Sequence, residues 1–202
     1  MSRIVAGEAR GRRLSVPDGK DTRPTSDRVR ESLFASLSSE LGSLEGLRFL
    51  DLYAGSGAVG IEALSRGASA VVLVEVARRA VGVIRDNLRK VGLPGGNLLV
   101  GRVERVVGAP PPEPEAFEVV YVDPPYSLSD AAVAAVLRDL AGNGWLAPDA
   151  VVVVERSARS AAFPWPPGFS ADRMRKYGDT ALWYGHAAGG EGTIDGDGAA
   201  EG

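Results

Sequence analysis

Cysteine is absent from the 202 residues of the chain. This absence excludes disulfide bonds, thiolate metal sites and a cysteine nucleophile. Histidine is almost absent as well, because His186 is the only one. A cluster of histidine metal ligands is therefore impossible, and a Ser-His-Asp triad would depend on that single residue. Catalysis must use carboxylates, backbone groups, aromatic side chains or a cofactor, and we expect no metal.

Long hydrophobic runs are also missing. The longest run, Ala150 to Val154, is far too short to span a bilayer, and the first residues lack the apolar stretch of a signal peptide. A content of 45% hydrophobic and 24% charged residues is typical of a globular protein. We expect a cytoplasmic monomer with no membrane partner, built from one main domain and a small appendage.

The net charge of −3 is unevenly distributed. Residues 1–30 contain eight Lys or Arg and four Asp or Glu, whereas residues 187–202 contain four acidic residues and no basic one. A basic N-terminal segment suits a polyanionic partner, but charge alone is equally compatible with a solvated surface. The low-complexity acidic segment 187–202 predicts a disordered tail.

The hydrophobic pattern divides the rest of the chain into two parts. In residues 1–24 apolar and polar residues alternate, and Gly and Pro interrupt the pattern, which predicts a short basic hairpin. In residues 25–186 we expect the main domain. It starts with an amphipathic helix, because apolar residues recur every four positions, at Val29, Leu33, Leu37 and Leu41.

From Leu47 onward, short apolar strands alternate with helices, a repetition that predicts a parallel sheet with helices on both faces. The expected strands lie at 48–53, 69–75, 97–101, 117–123 and 150–155. The expected helices lie at 58–68, 77–92 and 130–144. The pattern then changes, and the pair Gly178-Asp179 predicts a turn between two antiparallel strands.

A glycine-rich loop follows the first strand of this repeat. Gly55, Gly57 and Gly60 have the spacing of the fingerprint that binds NAD or FAD. The same close backbone approach also suits S-adenosylmethionine. Asp51 at the strand end favours the methyl donor, because it would attract an ammonium group and repel a pyrophosphate. Glu75, at the end of the next strand, suits the ribose of either ligand. The loop alone leaves a nicotinamide oxidoreductase open.

A second motif, Asp123-Pro124-Pro125-Tyr126, follows the fourth strand. Two prolines impose a rigid turn at the carboxyl edge of the sheet, where ligands bind in open α/β folds. The Asp123 carboxylate and the Pro124 carbonyl can each accept one N–H of an exocyclic amine. The lone pair of the amine nitrogen is then directed at a methyl donor while the Tyr126 ring stacks on the base. The motif favours a methyltransferase but does not identify the amine, which could belong to adenine, cytosine, guanine or a protein amide.

These two motifs are part of a wider resemblance that involves four segments of the chain. The segments "RIVAGEARGRRLSVP", "TRPTSDRVRESLF", "FLDLYAGSGAVGIEALSRGA" and "DPPY", in this order and spacing, resemble the bacterial 16S ribosomal RNA guanine-N2 methyltransferase family. The similarity runs from about Arg3 to Tyr184. It implies a class I S-adenosylmethionine-dependent methyltransferase fold, Rossmann-like, with a seven-stranded, mostly parallel sheet and an antiparallel last strand. It also implies a target guanine in the small ribosomal subunit.

The resemblance assigns roles to particular residues. It implies catalytic roles for Asp123, Pro124, Pro125 and Tyr126 and phosphate contacts for Arg10, Arg12 and Arg13. The cofactor contacts that it implies, together with those argued above, are Arg23, Thr25, Asp51, Tyr53, Ala54, Gly55, Ser56, Gly57, Glu75 and Val103. One position departs from many relatives: Arg102 stands where they have an acidic or small polar residue facing the adenine amine. We therefore expect backbone groups or Val103 to provide that contact.

Three other functions stay open at this point. A DNA or RNA adenine-N6 methyltransferase would use the same two motifs, although a DNA enzyme usually carries a separate DNA-reading domain. A nicotinamide-dependent oxidoreductase would leave the Asp123 turn unused. A non-catalytic RNA-binding relative predicts damage to one of the two motifs, and the sequence shows none.

Overall fold

The computed structural model describes residues 2–17, 27–112 and 116–189. Its strands are β1 Ser2–Arg3, β2 Arg13–Leu14, β3 Arg48–Leu52, β4 Ala70–Glu75, β5 Gly96–Val100, β6 Phe117–Val122, β7 Leu146–Ser157, β8 Phe169–Tyr177 and β9 Thr180–Ala187. Its helices are α1 Asp27–Leu41, α2 Ala58–Ser65, α3 Arg78–Val91, α4 Val103–Val107 and α5 Asp130–Gly142. No helix in these ranges is both long and apolar enough to cross a bilayer.

Seven strands form one sheet in the order β5-β4-β3-β6-β7-β9-β8. The five strands from β5 to β7 are parallel to their neighbours, and β9 runs antiparallel to both β7 and β8. This confirms the predicted mostly parallel sheet with an antiparallel last strand. The predicted turn at Gly178-Asp179 joins β8 to β9, with Gly178 in the left-handed region at φ 62°.

Helices cover both faces of the sheet, as the alternating pattern predicts. One core packs α1, α2 and α3 against the sheet, and the other packs α4 and α5 against the opposite face. The central strands are rich in Val, Leu and aromatic residues because both of their faces are buried. Helix α4 was not among the expected helices, since its five residues are too few to show a helical period.

The short hairpin of β1 and β2 is confirmed, and it is docked on the main domain. Ser2 pairs with Leu14 and Arg3 pairs with Arg13. The apolar side chains of Ile4 and Leu14, together with Ala9, are buried against α2 and α3. The hairpin therefore shares a core with the domain.

A buried carboxylate holds this hairpin in place. Glu62 on α2 is fully buried and accepts hydrogen bonds from the backbone N–H groups of Val5 at 2.8 Å and Ala6 at 2.9 Å. It also accepts one from Arg66 Nε at 2.8 Å and lies 3.4 Å from Arg30 Nε. Arg30, although it lies on the amphipathic helix α1, is fully buried because it faces this carboxylate.

Replacing Glu62 by Ala should destabilise the protein by about 3–5 kcal/mol, because it leaves the Arg30 guanidinium buried beside unpaired amides. The free energy of unfolding in urea measures this loss. Glu31→Ala, at an exposed position of α1, is the matched control and should change it by less than about 0.5 kcal/mol. A loss below about 1 kcal/mol for Glu62→Ala would contradict the anchoring role.

Candidate active site

A cavity of about 1190 Å³ opens at the carboxyl ends of β3, β4, β6 and β7. This edge is where an open parallel sheet binds its ligand, because the loops that leave adjacent strands diverge there. Two sequence motifs that lie some 70 positions apart meet at it: the loop that begins at Asp51 and the turn that begins at Asp123. Most predicted site residues within the described ranges line this one cavity.

Asp51, the penultimate residue of β3, lines the cavity with only 1% of its surface exposed. Its Oδ2 accepts a hydrogen bond of 2.8 Å from the backbone N–H of Gly60 in the first turn of α2. Burial raises the pKa of Asp51 to about 7, and the nearby charge of Glu75 adds to the rise, while the Gly60 hydrogen bond opposes it. Asp51 is thus a carboxyl group whose ionised form a neighbouring cation would stabilise.

The loop after Asp51 passes close to the cavity. Tyr53, Ala54, Gly55 and Ser56 line it, and Tyr53 adopts a φ of 60°, which is rare for a side chain of this size. The Tyr53 hydroxyl donates a hydrogen bond of 2.8 Å to Glu104 Oε1. Burial and that carboxylate together raise the pKa of Tyr53 above its ordinary value, so the phenol stays protonated.

Two glycines of the predicted fingerprint serve packing. Gly57 does not line the cavity; it precedes α2 at φ 75°, and a Cβ there would lie 3.0 Å from Leu73. A Cβ on Gly60 would lie 3.1 Å from Asp51 Oδ2 and 2.9 Å from a methyl group of Val71. These glycines let α2 approach the sheet closely enough for its first turn to reach Asp51.

Glu75 is held by three backbone amides. Its Oε2 accepts from the N–H of Gly55, and its Oε1 accepts from those of Val76 and Ala77, all at 2.8 Å. This fixes the carboxylate between two loops at the cavity wall. Val76 beside it also lines the cavity and is 53% exposed, which is unusual for a large apolar side chain.

The loop after β5 forms another wall of the cavity. Gly101, Arg102, Val103 and Glu104 all line it, and Val103 is buried at the start of α4. The cavity thus has apolar surface from Val103 and Val76 next to the Glu75 carboxylate. Sequence reasoning missed Val76; its signal is its position directly after the acidic residue that ends β4.

The turn at Asp123 forms the side of the cavity away from Glu75. Asp123, Pro124, Pro125 and Tyr126 all line it; Pro124 is buried, and the Tyr126 side chain is 52% exposed. The Pro125 carbonyl accepts a hydrogen bond of 2.8 Å from the Leu128 N–H, which closes the turn. The carboxylate and the aromatic ring are therefore presented to the same space as the Asp51 loop.

Sequence reasoning missed a buried acidic residue next to this turn. Glu155 of β7 is 5% exposed and lines the cavity. The Tyr121 hydroxyl donates a short hydrogen bond to its Oε2, and Thr180 Oγ1 lies 3.4 Å from its Oε1. The available signal was its place at the carboxyl end of an apolar strand. The β8–β9 turn, including Tyr177, completes this side of the cavity.

The remaining predicted residues fall into two groups. Arg23 and Thr25, expected beside the donor site, fall outside the described residues, as do residues 190–202 of the tail predicted at 187–202, whose first residue, Ala187, instead ends β9. Arg10 and Arg13 are exposed on the hairpin. Arg12 instead donates hydrogen bonds to the carbonyl groups of Lys90 and Val91 at 3.1 and 2.6 Å, capping the end of α3.

The strand order, the antiparallel last strand and the cavity at the carboxyl edge define a class I methyltransferase fold, which is Rossmann-like. The structure of the putative methyltransferase yhhF from Escherichia coli superposes with a TM-score of 0.80 at 31% identity, over 92% of this chain and 97% of that one. The putative methylase HI0767 from Haemophilus influenzae superposes with a TM-score of 0.74 at 28% identity, over 92% and 98% of the two chains.

Sequence comparisons identify the family. Residues 2–186 match the family described as conserved hypothetical protein 95. The chain is 35% identical over 184 residues to Ribosomal RNA small subunit methyltransferase D of Escherichia coli (strain K12), covering 89% of this chain and 86% of that protein. It is 32% identical over 182 residues to the putative rRNA methyltransferase YlbH of Bacillus subtilis (strain 168), covering 89% and 96%. The chain belongs to this family of small-subunit ribosomal RNA methyltransferases.

The raised pKa of Asp51 predicts a pH dependence of stability. In an unfolded chain an Asp side chain has a pKa of about 3.9. Between about pH 4 and 7 the folded state therefore retains a proton that the unfolded state has lost. The contribution of Asp51 should therefore lower the free energy of unfolding as pH rises through this window.

Asp51→Asn lacks this titration and keeps an acceptor for the Gly60 N–H. Relative to the wild type, it should gain stability as pH rises from about 4 to 7, by up to a few kcal/mol. Urea unfolding of both proteins across this range measures the difference. A difference that is constant with pH would contradict the raised pKa.

Proposed function

We propose that the protein methylates the exocyclic N2 amine of a specific guanine in the 16S ribosomal RNA of the small subunit, with S-adenosylmethionine as methyl donor. The observation that carries the proposal is the meeting of the Asp51 loop and the Asp123 turn in one cavity. One loop suits a cationic donor and the other suits an amine acceptor. The relatives named above support the RNA and its subunit.

The cavity residues fit the methyl donor. When bound, S-adenosylmethionine supplies an electrophilic methyl group on a sulfonium. Asp51 would hold its ammonium group, since a buried carboxylate whose pKa is near 7 gains from a cation beside it. Glu75 would accept from the ribose hydroxyls. Val76 and Val103 would cover the faces of the adenine, as expected for Val103, and backbone groups of the loop after β5 would contact its edge.

The Asp123 turn would prepare the acceptor amine. An exocyclic amine is a weak nucleophile because its lone pair is delocalised into the base. The Asp123 carboxylate and the Pro124 carbonyl would each accept one of its N–H groups, which favours a pyramidal nitrogen with an available lone pair. The exposed Tyr126 ring would stack on the flipped base. Positioning and fixed dipoles supply most of the rate gain in such a site.

Glu155 supports guanine as the base. Guanine carries an N–H at ring position N1 beside its N2 amine, whereas adenine has an acceptor at N1. A buried carboxylate in the cavity, held by the Tyr121 and Thr180 hydroxyls, would accept a hydrogen bond from the N1–H of guanine. The same carboxylate would repel the acceptor nitrogen N1 of adenine. This observation favours the guanine-N2 reaction over the adenine-N6 alternative. A nicotinamide oxidoreductase has no use for either Glu155 or the Asp123 turn.

RNA outside the cavity would be held by cations. Arg10 and Arg13 are exposed on the docked hairpin and remain our proposed phosphate contacts, whereas Arg12 has a structural role that reduces its availability. Arg23 and Thr25 remain proposed contributors to the donor site. We propose that the protein acts as a cytoplasmic monomer on the assembled or assembling small subunit.

Methyl transfer from labelled S-adenosylmethionine to unmodified small subunits, followed by mapping of the modified nucleoside, tests the proposal. The wild type should yield N2-methylguanine at one position. Asp123→Ala should lower turnover by at least about a hundredfold, because it removes an acceptor at the reacting amine, yet should bind S-adenosylhomocysteine as tightly as the wild type. Label in adenine, or full turnover by the variant, would overturn the assignment.

Glu155→Gln tests base selection. A target of 2,6-diaminopurine retains the N2 amine but has an acceptor at N1, so the wild type should prefer guanine by about ten- to hundredfold in kcat/KM. A glutamine amide can donate to that acceptor, so the variant should lose most of this preference. Thr180→Ser, which keeps a hydroxyl beside Glu155, is the control and should retain it. An unchanged preference in Glu155→Gln would exclude Glu155 from base recognition.

A further inference from the structure

A second groove lies between α1 and the edge strand β8, with a volume of about 680 Å³. We call it the α1–β8 groove. Its α1 side carries Ser32, Ser36 and Ser39, and its β8 side carries Arg175, Lys176 and Tyr177. The small serine side chains are what leave the groove open on this side of the helix.

One cation on the α1 face of β8 is available to a ligand. Arg175 is exposed and forms no ion pair with another residue of the described ranges, and it lies on the same face of the sheet as Arg173 and Tyr177 because side chains alternate along a strand. Lys176 is also exposed, but it alternates to the opposite face, as does its partner Ala181. Arg175 and the serine hydroxyl groups of α1, which can also donate hydrogen bonds, line the same groove. Such a lining suits an anion with several acceptor oxygens, and phosphate is the common biological example.

The remaining charges of the groove are already paired. Arg173 donates to Glu40 Oε2 at 2.6 Å and to Ser36 Oγ at 3.0 Å, and its guanidinium lies 4.5 Å from the centre of the Tyr184 ring. His186 Nε2 lies 2.6 Å from the other Glu40 oxygen. Burial acts against ionisation of Glu40, but the bonds from Arg173 and His186 hold its pKa below the ordinary value. The Glu40 charge is thus balanced and does not cancel that of Arg175.

The groove borders the candidate active site. Tyr177 lines both the groove and the large cavity, and the next two residues, Gly178 and Asp179, also line the cavity. A polyanion that enters the cavity with one unit would therefore reach the groove with its neighbours. Tyr177, partly buried between the two spaces, presents an aromatic ring where successive bases could stack.

We infer that the α1–β8 groove binds the single-stranded RNA that flanks the target nucleotide, with Arg175 contacting its phosphates. The inference rests on the proposed function, because it requires that a nucleotide enters the adjacent cavity. Flipping a base unstacks its neighbours, and a basic groove beside the cavity holds the displaced backbone. It places an RNA contact on a face of the domain where the sequence pattern indicated none.

Arg175→Ala should raise the KM for unmodified small subunits by about threefold to tenfold, with a much smaller effect on kcat. The slope of log affinity against log salt should fall by roughly 0.7, since one contact to a single-stranded phosphate is lost. The matched control is Lys176→Ala, which removes an exposed cation from the opposite face of the same strand. The control should behave as the wild type.

A second variant keeps the cation and blocks the space. Ser39→Glu, at an exposed position, introduces a negative charge into the groove and should raise KM in the same way. A photoreactive amino acid at position 39 should crosslink to ribosomal RNA in the bound subunit. Crosslinking to a ribosomal protein alone, or an unaltered KM in both groove variants while the wild type is active, would overturn the inference. Absence of methyl transfer by the wild type would instead overturn the proposed function.

Discussion

Parallel pairing of the central strands is the constraint on which the rest of the structure depends. Because β3, β4, β6 and β7 run in the same direction, their carboxyl ends meet at one edge of the sheet. Chemistry that lies far apart in the sequence is thereby gathered into a single cavity. The hydrogen bond from the Gly60 N–H to Asp51 ties α2 to that edge, and a Cβ on residue 60 would lie only 3.1 Å from the accepting oxygen.

Buried charges serve different purposes in different parts of this fold. Glu62 faces two arginines and two backbone amides, so its charge is compensated and joins the hairpin to the domain. Asp51 has one backbone donor and a second carboxylate nearby, so burial raises its pKa to about 7. The first arrangement stabilises structure. The second favours the protonated carboxyl group unless a cation lies beside it, which is the condition expected of a cation-binding position.

The cavity and the α1–β8 groove would have different roles in recognition of the RNA. The cavity contains the groups that would distinguish one base and one amine, with Glu155 and Asp123 on the same side of it. The α1–β8 groove contains a cation and hydroxyls that contact a backbone without reading sequence. Tyr177 borders both, so a chain with one flipped nucleotide could occupy them together. The docked hairpin adds Arg10 and Arg13 as a further basic surface.

The sequence by itself determined the sheet, its helices on both faces, the β8–β9 turn and the two loops of the candidate active site. Each of these depends on local signals: runs of Val and Leu, glycine spacing and paired prolines. Only the tertiary structure decided the roles of residues whose partners are distant in the chain. Arg12 caps α3, Arg30 is buried beside Glu62, and Glu155 lines the cavity with Tyr121 and Thr180 as its hydrogen-bond partners. A side chain's charge is visible in the sequence, but its burial and its partners are set by packing between elements.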